Sequence, residues 1–135
     1  MPRITRVFLR TALVFFVLGL SLLLAATVAG MPWAMLLLPT YLHYFTVGFM
    51  TFMIAGVALW MFPRWTKEAP RGPEWLGWLC YGLLTVGLAL RGIAEPAGAL
   101  GWLSMNAVVV FSAVLQWMGG LILVGLLWPR IKEKG

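Results

Sequence analysis

Four stretches of roughly twenty mostly apolar residues constrain this chain more than any other feature. They run from about Val7 to Ala29, Tyr41 to Phe62, Trp75 to Arg91 and Ser104 to Trp128. A helix of about 20 residues, rising 1.5 Å per residue, crosses a hydrocarbon layer of about 30 Å. Helix breakers separate the stretches: Pro32 and Pro39, then Pro63, Pro70 and Pro73, then Pro96 with Gly98 and Gly101, and finally Pro129. Only 10% of the 135 residues are charged and 62% are hydrophobic, against about 25% charged in a soluble domain. A chain this short cannot bury such an excess in one core. A water-soluble globular domain, a disordered chain and a nucleic-acid module are excluded. The expected fold is an all-α, four-helix transmembrane bundle in which residues 1–135 form a single domain. The single cysteine, Cys80, excludes a disulfide framework and any multi-cysteine metal centre.

The net charge of +6 has a topological explanation. Arg3, Arg6 and Arg10 precede or open the first stretch, Arg64, Lys67 and Arg71 follow the second, and Arg130, Lys132 and Lys134 follow the fourth. Nine of ten basic residues thus fall on one side, which the positive-inside rule makes cytoplasmic together with both termini. Arg91, beside Glu95, is alone on the other side. Tryptophans fit the same layout as interfacial anchors, with Trp60, Trp65, Trp75, Trp78 and Trp128 inside and Trp33 and Trp102 outside. Trp117 alone lies mid-helix. The basic start and apolar run could be read as a signal peptide, but the run exceeds the usual h-region and is read as a span. The uncharged segment 30–40 is expected to be an outer-surface or re-entrant piece. The endings LWMFPR (59–64) and LLWPR (126–130) hint at a two-hairpin repeat, although aromatic-Pro-Arg is also a generic stop.

Ionisable groups at membrane depth are costly, so each needs a reason. Opposite chain directions bring His43, Arg91, Glu95 and Asn106 to a common depth on the outer side, with Ser104 beside them. His43 is the only histidine, and Val47, Met50, Ile54 and Met61 share its helical face. An imidazole above an apolar strip suits a flat apolar cofactor such as haem; an interfacial histidine bonded to a carbonyl or lipid headgroup is the plainer alternative. Arg91 and Glu95, spaced i, i+4, either close the end of the third helix as a pair or bind an anionic group, with Glu95 orienting the arginine fork. Pro96 is expected to push Glu95 out of helical geometry. On the fourth helix Asn106, Ala113, Gln116 and Gly120 form a stripe suited to close helix packing. The eight methionines raise copper(I) handling as a further possibility, although His43 and Met50 would need Met31, Met35 or a second chain to chelate one ion. No nucleophile, carboxylate pair or phosphate loop is arranged for catalysis.

The runs LHYFTVGFMTFMIAGVALWMFPR (42–64), RGPEWLGWLCYGLLTVGLALRGIAEP (71–96) and LQWMGGLILVGLLWPR (115–130) resemble short four-helix bacterial membrane proteins described as similar to subunit I of haem-copper oxidases, particularly the C type. The resemblance implies a bacterial inner-membrane location beside a respiratory chain. It implies haem b, with His43 as axial ligand and Arg91 on a propionate; Glu95 and Asn106, level with them, are expected to support the site. The departure is equally specific: four spans and one histidine cannot build the complete oxygen-reducing centre. A haem here would be five-coordinate, take a methionine, or be shared across a homodimer. The resulting expectation is haem-dependent electron transfer or diatomic-gas sensing. A cofactor-free structural or assembly subunit of a respiratory complex is the alternative.

Overall fold

In the computed structural model, which describes residues 1–102 and 105–132, the chain is all-helical. Four helices are long and apolar enough to cross a membrane: Arg3–Ala29, Trp33–Met61, Glu74–Ala99 and Asn106–Arg130, the last ending in a 3-10 turn from Trp128 to Arg130. Ser104, the expected start of the fourth span, and Lys134 lie outside the described residues.

Antiparallel packing gathers the basic segments at one end. There Ile4 packs against Gly77, while Arg130 bonds to the carbonyl of Leu59. The core nearest this end joins Phe8, Phe52 and Tyr81, whose rings lie 5.3–5.9 Å apart in tilted and edge-on pairs. Thr11 and Tyr81 complete it with a 2.8 Å hydroxyl–hydroxyl bond, which satisfies two polar groups inside an apolar bundle.

Small residues let the helices approach where side chains would keep them apart. Gly48 on the second helix faces Phe15 of the first and Leu88 of the third; a Cβ there would come within 2.7 Å of Phe15. Gly48→Ala is therefore expected to lower stability by about 1–3 kcal/mol through overpacking. Thermal unfolding in detergent checks this, with Gly120→Ala as the neutral comparison because nothing lies within 4 Å of a Cβ at Gly120. On the fourth helix the buried positions are Ser112, Gly119 and Leu126. Gln116 and the Ser112 carbonyl pack against Gly87, and Gly119 packs against Leu84. The expected packing stripe is therefore displaced: Gln116 belongs to it, whereas Asn106 is exposed and Gly120 has no neighbour.

Two helices run further than their sequence suggests. The second begins at Trp33 rather than Tyr41, so most of segment 30–40 is helical and carries Pro39 inside it. Its middle, Tyr44–Thr51, is π-helical, the i→i+5 arrangement that absorbs an extra residue. Thr46 and Thr51 bond back to the carbonyls of Leu42 and Thr46 within this stretch. The third helix continues through Pro96 to Ala99, and Glu95 stays helical despite the proline after it. The Arg91–Glu95 pair bridges the turn before Pro96.

Arg130 carries more than a topological charge. It is 1% exposed, and its guanidinium donates to the carbonyls of Leu59, Phe62 and Pro63 at 3.2, 2.8 and 2.8 Å. Those carbonyls end the second helix, where no further backbone N–H follows to donate to them. A cation from the fourth helix thus caps the negative end of the second.

Candidate functional site

The extended second helix places His43 ten residues from its start, about 15 Å along the axis at 1.5 Å per residue. Arg91 likewise lies eight residues before the end of the third helix, about 12 Å from it. The polar cluster therefore sits well inside the two spans rather than at their ends.

Three of the four expected residues meet there. Arg91 Nη1 donates to His43 Nε2 at 2.8 Å, and Arg91 Nε lies 3.3 Å from Glu95 Oε1. His43 Nδ1 is 2.6 Å from the Pro39 carbonyl and 3.6 Å from Glu95 Oε2. The shorter contact is the hydrogen bond; the carboxylate at 3.6 Å is an electrostatic neighbour. Because a carbonyl can only accept and a guanidinium can only donate, these contacts define the neutral imidazole with its proton on Nδ1. Glu95 Oε2 is buried and has no hydrogen-bond donor among the described residues. The side chains are 30% exposed for His43, 18% for Arg91 and 14% for Glu95, so His43 is the most accessible of the three.

The sequence reading missed two supporting parts. Tyr44 seats its hydroxyl directly over Gly92, between Arg91 and the turn carrying Glu95, and its ring packs on Phe15 at 5.2 Å. The Pro39 carbonyl is the other. Proline at 39 signals a kink, but nothing in residue type indicates that its carbonyl receives an imidazole proton.

Asn106 does not join the cluster. It opens the fourth helix, is exposed, and makes no side-chain hydrogen bond among the described residues. The apolar strip expected beneath His43 faces outward from the bundle, with Met50, Ile54 and Met61 all more than half exposed. The described residues contain no group of three or more histidine, cysteine or acidic side chains placed to hold a metal. Cys80 is buried and donates to the Gly119 carbonyl at 3.3 Å, a packing role between the third and fourth helices.

Recesses lie at both ends of this arrangement among the described residues. At the basic end, a cleft of about 320 Å³ is lined by Ile4, Leu59, Glu68, Arg71, Glu74 and neighbouring backbone, a mixture of both charge signs. Beside the cluster, a shallow groove of about 350 Å³ runs between the third and fourth helices, with Arg91 as its polar member. Comparison with protein families, curated proteins and solved structures yields no match.

Proposed function

We propose that the protein is a multi-pass bacterial inner-membrane protein with both termini cytoplasmic, and that it holds haem b through His43 Nε2 for electron transfer or diatomic-gas sensing. The observation that carries this reading is the 2.6 Å bond from His43 Nδ1 to the Pro39 carbonyl. Metal-binding histidines characteristically donate their second ring nitrogen to a carbonyl or carboxylate, which fixes the tautomer and strengthens the ligating lone pair. Here that partner is built into the helix, and Nε2 is the acceptor nitrogen. The donor set fits the group with one exchange. Nε2 now receives Arg91 Nη1, so ligation requires that guanidinium to turn toward a propionate, for which its fork is suited. Glu95 would hold Arg91 through that turn, by way of the Nε–Oε1 pair. Bound iron would supply one-electron exchange or a coordination site for a diatomic ligand, with its potential tuned by the axial histidine. A place beside a respiratory chain rests on the resemblance described above.

A second reading has its own observation. With Nε2 already paired to Arg91, the cluster is a closed polar clamp between the second and third helices, as a cofactor-free structural or assembly subunit requires. Absorption spectroscopy separates the two. Protein purified in mild detergent from haem-sufficient cells is expected to show a Soret band that shifts on reduction and is lost in His43→Ala. Colourless protein that also fails to take up added hemin overturns the haem reading and leaves the clamp.

A further inference from the structure

The groove beside Arg91 has features that the haem reading does not use. It is lined by Val109, Val110, Ala113, Val114 and Trp117 of the fourth helix, with Arg91 from the third as its polar member. From Val109 to Trp117 it extends about 12 Å along the helix. Val110 and Trp117 are 63% and 66% exposed, so the groove opens sideways from the bundle toward whatever surrounds the apolar helices. Trp117 is also the tryptophan that interfacial anchoring leaves unexplained, because it stands in the middle of a span.

Arg91 supplies a donor at this groove. Its Nη1 serves His43 and its Nε faces Glu95, while Nη2 has no hydrogen-bond partner among the described residues. The charge of the cluster then decides what that donor prefers. Arg91 is balanced by Glu95 at 3.3 Å, and His43 is in its neutral tautomer, so the group as a whole presents no net charge to a ligand. An anionic head gains little electrostatically and would approach the Glu95 carboxylate. A neutral acceptor gains the hydrogen bond without that repulsion.

We propose that this groove binds a membrane-dissolved amphiphile with a neutral carbonyl head and an apolar tail, the chemical class of the isoprenoid quinones. Arg91 Nη2 donates to the carbonyl, and the tail lies along Val110, Ala113, Val114 and Trp117. The site depends on membrane insertion and on Arg91, and it uses the arrangement in which Arg91 stays with His43 and Glu95, so it belongs to the haem-free state of the cluster.

Decylubiquinone titrated into the full chain in phosphatidylcholine nanodiscs tests this through tryptophan fluorescence. A saturable quenching component is expected in the wild type and absent from Trp117→Phe. Its midpoint should rise at least tenfold in Ala113→Phe, which fills the groove from a half-buried lining position, and in Arg91→Met, which removes the donor. Quenching that only tracks the quinone mole fraction, alike in all four proteins, overturns the site. So does equal displacement of the quinone by lysophosphatidylglycerol, which would make the occupant an anionic lipid. Ala113→Phe leaves the His43 cluster intact, so any Soret band persists in that variant; a missing haem signal and a missing quinone signal are therefore separate results.

Discussion

Arg91→Ala is expected to destabilise the folded protein by about 3–5 kcal/mol, the range seen when one partner of a buried ion pair is removed. The loss exceeds that of the pair itself because of what remains. Glu95 is 14% exposed and would keep a carboxylate in apolar surroundings with its Oε2 already lacking a donor. His43 Nε2 would lose its only donor at the same time. The double variant Arg91→Leu, Glu95→Leu removes both charges and is expected to recover most of the loss, since apolar replacement of a buried pair is often neutral. Arg91→Lys should recover less, because an ammonium cannot span His43 and Glu95 as the planar fork does. Denaturant titration in mixed micelles measures all three. A single variant within about 1 kcal/mol of wild type would mean that the cluster is as weak as an exposed surface pair.

Arg130→Ala should have the next largest effect. Its guanidinium makes three charge-assisted bonds to the carbonyls that end the second helix, and such bonds contribute about 1.5–3 kcal/mol each without adding fully. A loss of about 3 kcal/mol or more is expected, with faster proteolysis in the loop that follows Phe62. Arg130→Lys should protect only partly, because one ammonium cannot reach all three carbonyls in the same geometry. If the loop is cleaved no faster in Arg130→Ala, the cap does not hold that end of the helix.

The two arginines differ in how legible they were. Arg91 stands out in the sequence because it is the one basic residue away from the basic end, level with the only histidine. Its pairing with Glu95 follows from i, i+4 spacing on one helix. Arg130 is one of nine similar residues at the basic end, and its burial depends on where the fourth helix ends against the second. Asn106 stays outside the cluster for a related reason. Common depth brought it level with His43 and Arg91, but depth says nothing about rotation, and at the start of the fourth helix it is exposed. Tyr44 was missed because the π-helical stretch changes which residues of the second helix face the third, and the Pro39 carbonyl because a backbone acceptor has no signature in residue type.

The primary structure alone determined that the chain forms apolar helices, how many there are, and which segments gather at the basic end. These follow from composition, breaker spacing and charge counts, which need no knowledge of neighbours. It also singled out His43, Arg91 and Glu95, since polar groups inside apolar runs are conspicuous. Only the tertiary structure decided the tautomer of His43, the depth of the cluster, the burial of Arg130 and the groove beside Trp117. Each of these depends on helix rotation and on contacts between residues far apart in the chain. Periodicity constrains rotation within one helix but not between helices, and hydrogen-bond direction is settled only when both partners are in place.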